Sequence, residues 1–121
     1  GYVKAQYNLG VIYDNGYGVK QDYQQAMIWY RRAADQGHTK AQRNLGLMYD
    51  LGKGVRIDYQ QAKLWYERAV SKGDDGANYL IGVLYEYGDG VPQSKNKAIE
   101  WYKKAADLGY EKAHDKLQKL G

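Results

Sequence analysis

The stretch from Ala5 to Gly37, AQYNLGVIYDNGYGVKQDYQQAMIWYRRAADQG, returns at 41–73 as AQRNLGLMYDLGKGVRIDYQQAKLWYERAVSKG and at 77–109 as ANYLIGVLYEYGDGVPQSKNKAIEWYKKAADLG. The offset is 36 residues each time, and a partial fourth copy starts at Ala113. A period of this size marks a tandem array of supersecondary units, none of which can bury its own apolar face alone. The units run approximately 1–36, 37–72 and 73–108, followed by a capping helix over 109–121, and together they make one repeat array over 1–121.

Inside a unit the apolar spacing is helical twice. Ala5, Leu9, Ile12 and Tyr13 fall at i, i+4, i+7 and i+8, one face of a first helix. Ala26, Trp29, Tyr30, Ala33 and Ala34 repeat that pattern on a second helix. Asp22, Asp58 and Ser94 precede the second helices as N-caps, and Gln25 and Gln61 three residues later suggest capping boxes. Gly37, Gly73 and Gly109 stand where a helix ends on a positive-φ residue. Gly10, Gly46 and Gly82 lie mid-helix, where glycine costs about 0.5–1 kcal/mol against alanine. They predict a close approach, with Trp29, Trp65 and Trp101 as the rings to be admitted into the core.

Composition fits this array. The chain has 121 residues with 15 Gly, 14 Tyr and 3 Trp, but no Phe and no Cys. A disulfide scaffold and a thiolate metal site are therefore excluded. The net charge of +4 is a mild basic bias, far from a dedicated phosphate-neutralising surface. No apolar run approaches the roughly 18 residues of a membrane span, so no membrane insertion is expected, and the compartment is left open between cytoplasm and bacterial periplasm.

The order A-x-x-x-L-G-x-x-Y-x-x-G-x-G-V-x-x-D-x-x-x-A-x-x-W-Y-x-x-A-A-x-x-G resembles the Sel-1-like repeat family, a subgroup of the tetratricopeptide-like α-solenoids. The resemblance covers nearly the whole chain. It implies an all-α fold: a right-handed α-solenoid of antiparallel helix pairs, about three full repeats plus a C-terminal capping helix. It also implies a non-enzymatic scaffold or adaptor that binds a protein or peptide segment on its concave face. Pro92 and Lys95 depart from the pattern in the third unit. Gly1–Ala5 aligns with the inter-unit joints at Gly37–Ala41 and Gly109–Ala113, which leads to an expectation of further repeats upstream. Gln118 in place of the mid-helix glycine suits a terminal helix.

Chemistry-bearing motifs are few. His38 and His114 occupy non-equivalent positions, as expected of a loop and a capping-helix residue, so neither a metal nor a cofactor is expected. The Gly-x-Gly loops match no phosphate-binding pattern. No nucleophile, base and orienter set accompanies them, which argues against an enzyme. The informative face is the one opposite each first helix's core. A helical wheel groups Lys4, Tyr7, Val11 and Asp14, then Lys40, Arg43, Leu47 and Asp50, then Tyr79, Val83 and Glu86. These positions vary while the core repeats. They predict a partner groove with a basic edge of Lys4, Lys40 and Lys112, a centre of Tyr7, Arg43 and Tyr79 beside Asn8 and Asn44, and an acidic edge of Asp14, Asp50 and Glu86. The competing expectation is single-stranded nucleic acid or another anionic polymer, held by Lys4, Lys40, Arg43 and Lys112 with the groove tyrosines.

Overall fold

The computed structural model describes residues 2–120. Seven helices and no strand are present among them: α1 (Tyr2–Asn15), α2 (Tyr23–Asp35), α3 (Thr39–Leu51), α4 (Tyr59–Ser71), α5 (Asp75–Tyr87), α6 (Lys95–Asp107) and α7 (Glu111–Leu120). They group into two compact units, Gly1–Trp65 and Tyr66–Gly121, which divide within α4.

Three side chains start the second helices as the sequence predicts. The Asp22 carboxylate accepts the Gln24 and Gln25 amides at 3.1 Å, Asp58 accepts Gln61 N–H at 3.1 Å, and Ser94 accepts Lys97 N–H at 3.1 Å. The reciprocal half of a capping box does not form. The amides of Asp22, Asp58 and Ser94 donate instead to the carbonyls of Tyr13, Tyr49 and Tyr85, each at 2.9 Å. A cap amide already bonded in this way has nothing to offer Gln25 or Gln61. The same bond stitches the end of one helix to the start of the next. At the other end, Gly37 at φ 88° and Gly109 at φ 97° let His38 and Tyr110 N–H reach back to Ala33 and Ala105.

Antiparallel pairing follows from these closures and from the mid-helix glycines. Tyr30 of α2 lies across Gly10 of α1, and Tyr102 of α6 lies across Gly82 of α5. A Cβ on Gly82 would meet the Tyr102 ring at 2.6 Å, so any side chain there would push the helices apart. The admitted ring is therefore the tyrosine, and the expected tryptophan role is corrected. Successive helical residues point about 100° apart, so only one of each Trp-Tyr pair can face the partner helix. Tyr30, Tyr66 and Tyr102 are at most 1% exposed. Trp29 and Trp101 are only half-buried, overlain by Arg32 at 4.7 Å and Lys104 at 4.3 Å. Trp65 alone of the three is buried, packed with Ala33, Ala34, Ala41 and Leu45 under Arg31.

The first unit's core contains Ala26, Tyr30, Ala33, Ala41, Leu45 and Met48; the second unit's contains Ala98, Tyr102, Ala105 and Ala113. Ala5 is exposed and Leu9 half-buried, whereas their repeat equivalents Ala41 and Leu45 are fully buried. The core face predicted for α1 is thus covered only in part.

Candidate interaction site

The first-helix faces are built differently from the expected groove, and the tyrosines decide the difference. In the first unit Tyr7 is stacked on His38, with ring centroids 4.5 Å apart and planes at 21°, and is tilted against Tyr30 at 5.9 Å. In the second unit Tyr79 holds the same slot, tilted against Tyr102 at 5.5 Å and Tyr110 at 5.1 Å. Each ring is wedged between its own second helix and the residue that opens the next first helix.

The expected acidic edge is largely occupied internally. Asp14 Oδ2 accepts the Tyr30 hydroxyl at 2.9 Å, and the Asn44 side chain bonds the same hydroxyl. Glu86 Oε1 accepts the Tyr102 hydroxyl at 2.6 Å and pairs with Lys116 Nζ at 3.0 Å. Lys116 also donates to the Tyr87 hydroxyl at 3.3 Å. These are two versions of one device: an acid ending a first helix, a tyrosine from the second, and a polar residue from the following first helix. Burial, reinforced by the carboxylate, pushes both the Tyr30 and Tyr102 hydroxyls well above the ordinary phenol range. Burial alone would raise Glu86, but the bonds from Tyr102, Lys116 and Tyr87 outweigh it and hold its carboxyl below the usual value. Asp14 and Glu86 therefore act as staples between helices. Asp50 is half-buried.

The apolar stripe is also less open than expected. Val11 is half-buried against Ala26, Tyr30 and Met48, and Val83 against Tyr102 and its neighbours. Leu47, Arg43 and Asn44 are half-buried on α3. Lys4, Asn8 and Lys40 stand exposed in the first unit and Lys112 in the second. Lys4, Tyr7, Asn8, His38 and Lys40 come together around an open groove of about 840 Å³ between α1 and the start of α3.

His38, set aside in the sequence as a loop residue, is the N-cap of α3, its Nδ1 accepting Ala41 N–H at 3.1 Å. Asp74 does the same for α5, accepting Ala77 N–H at 2.8 Å. The 36-residue offset aligns the two, and taken twice it aligns Lys116 with Asn44. That alignment was the available signal. Burial, then the nearby Lys40 charge, lowers the His38 pKa from its ordinary value. Among the described residues no three His, Asp or Glu side chains are grouped so that they could hold a metal ion, and no helix is long and apolar enough to cross a membrane.

The Sel1 repeat model matches residues 3–38, 39–74 and 76–110. The chain belongs to the Sel1 repeat family. It is similar over 99% of its length, at 43% identity and TM-score 0.93, to c5321, a protective antigen of uropathogenic Escherichia coli strains with an SLR fold. A Sel1 repeat protein from Oxalobacter formigenes matches 97% of it at 38% identity and TM-score 0.91. Cysteine rich protein B of Helicobacter pylori matches 94% at 26% identity and TM-score 0.75, and this chain has no cysteine. The chain spans 26%, 48% and 87% of those three proteins respectively. No curated protein matches it. The fold is thus an all-α Sel1 solenoid of three helix-pair repeats with a further C-terminal helix, and Sel1 repeat proteins are generally non-enzymatic protein-interaction scaffolds.

Proposed function

We propose that this chain is a protein-interaction scaffold or adaptor whose first-helix faces receive a protein or peptide segment. The observation that carries this is the contrast between fixed and variable slots. The slots that hold the helices together repeat as alanine, glycine and tyrosine, while one first-helix slot holds Tyr7, then Arg43, then Tyr79. Arginine is among the residue types that dominate binding energy at interfaces, and Arg43 lies on α3 one turn from Leu47. The anionic-polymer alternative needs open rings for base stacking. Tyr7 and Tyr79 offer poor platforms, because His38, Tyr30, Tyr102 and Tyr110 already lie against them.

The test uses a partner captured from the source cell and then purified. Arg43→Glu combined with Leu47→Gln, both on the α3 face, should leave helicity intact by circular dichroism and weaken that partner by at least about tenfold. Lys103→Glu, exposed on a second helix, should leave affinity unchanged. Parental affinity in the α3 variant would overturn the assignment of the face.

A further inference from the structure

The groove between α1 and the start of α3 has an electrostatic asymmetry. Lys4 and Lys40 stand on its lip, exposed, and neither has a carboxylate partner among the described residues. Asp14, the acid at the far end of α1, is bonded to the Tyr30 hydroxyl. Asn8 and Thr39 add amide and hydroxyl groups to the same lining, with Tyr7 and His38 beside them. An open concavity with two unpaired ammonium groups and uncharged hydrogen-bonding neighbours is complementary to carboxylates on an extended chain.

His38 couples this charge to protons. From α1 it meets the Tyr7 ring and shares the groove with Lys4; from α3 it meets Lys40 and the Ala41 amide; at the end of α2 its own N–H donates to the Ala33 carbonyl at 3.1 Å. No acidic side chain of the described residues pairs with it. Because Nδ1 accepts from Ala41, the neutral ring carries its hydrogen on Nε2. A second proton would set N–H against N–H and add a cation beside Lys40. The empty groove opposes protonation on both counts. A carboxylate seated between Lys4 and Lys40 removes the charge penalty and gives the imidazolium a partner, while the Tyr7 face supports the cation.

We propose that this groove takes a carboxylate-rich peptide segment, and that His38 gains a proton as the segment binds. The proposal rests on the first-helix faces being the partner surface, and it specifies the partner's chemistry. Binding and protonation are reciprocal. Affinity for the acidic segment rises as pH falls through the histidine range, while the isolated fold weakens as α3 loses its cap.

The experiment is fluorescence anisotropy with a short labelled peptide of alternating Glu and Ser, the same peptide with Gln for Glu, and an oligothymidylate of similar length. The Glu peptide should bind at least about tenfold more tightly than the Gln peptide, and the double variant Lys4→Gln with Lys40→Gln should lose a similar factor. Affinity should rise about threefold or more between pH 7.5 and pH 6. His38→Asn, whose side-chain oxygen still accepts from Ala41, should show the same affinity at pH 6 as at pH 7.5, whatever its level. Equal binding of the Glu and Gln peptides, or tighter binding of the oligothymidylate than of the Glu peptide, overturns the partner class. A pH rise kept in His38→Asn overturns the proton link. These failures leave the α3-face test standing, whereas parental partner affinity in the Arg43→Glu, Leu47→Gln variant removes both readings.

Discussion

The three-helix elements α1–α2–α3 and α5–α6–α7 are the same construction made twice with different polar parts. In both, a second-helix tyrosine crosses a first-helix glycine and hands its hydroxyl to an acid. Around that shared frame the residues diverge. Asn44 completes the first staple and Lys116 the second. His38 lies on Tyr7 where Tyr110 lies on Tyr79, and Lys4 stands free where the second element has a buried Gly76. The apolar frame is fixed by packing, because any change in ring or glycine is felt across both helices. The polar parts are satisfied locally and vary without moving the frame. The polar surface is therefore free to differ from one joint to the next.

The largest expected effect tests the shared frame. Tyr30→Ala and Tyr102→Ala should each cost about 3–5 kcal/mol in urea melts, the range for deleting a fully buried ring. Trp65→Ala should fall in the same range. Trp29→Ala and Trp101→Ala should cost less, since those rings are only partly buried and keep some contact with water. Equal losses from Trp29 and Tyr30, or from Trp101 and Tyr102, would show that the two rings share the closure, and the tyrosine-over-glycine account would be wrong.

The next effect separates the two staples. Tyr102→Phe removes the centre of a network in which Glu86 has only 17% of its side chain exposed, so water replaces the lost bond poorly. A cost of about 1.5–3 kcal/mol is expected, as for hydrogen bonds to charged groups. Tyr30→Phe should cost about 0.5–1.5 kcal/mol, because its bond to Asp14 is the longer one, 2.9 Å against 2.6 Å. Glu86 also gives the first of these a pH signature. Its folded pKa lies below the ordinary 4.5, so its stabilisation is present above that value and is lost as pH falls through the folded one. Tyr102→Phe, by deleting one of the bonds that lower the pKa, should flatten that acid limb. Parallel pH curves for parent and variant would remove Glu86 from the staple.

Much of this frame was legible in the sequence. A 36-residue period carried by alanines, glycines and aromatic pairs fixes helix number, pairing and turns, because each recurring position solves the same steric problem. Three things were not legible. Neighbouring Trp and Tyr both fit the apolar pattern of their helix, and only the glycine opposite and an acid within reach of the hydroxyl decide which one turns inward. Asp14 and Glu86 look like a solvated edge because their partners are 16 residues away on another helix. Val11 and Val83 look exposed on a helical wheel, which shows one helix and omits the neighbour that half covers them.

The smallest effect concerns the residues that open α3 and α7. His38 caps its helix only while neutral, and burial and Lys40 keep its pKa below the ordinary 6.5. The sign follows directly. Above the unfolded value both states are neutral and the cap is intact. As pH falls below that value the unfolded chain takes up the proton first, and stability declines until pH passes the lower folded value, after which it levels. Tyr110 opens α7 with a backbone carbonyl that accepts Ala113 N–H at 3.1 Å, a bond with no proton dependence in this range. His38→Asp places at α3 the residue type found at Asp74, whose carboxylate caps α5. The variant should be a few tenths to about 1 kcal/mol more stable than the parent at mildly acidic pH, because aspartate is a strong cap and also favours the positive end of the helix. The gap should narrow toward neutral pH, where the parental imidazole caps fully. Thermal melts across this range measure it, and a gap that does not change with pH would mean that His38 contributes packing on Tyr7 rather than a titrating cap.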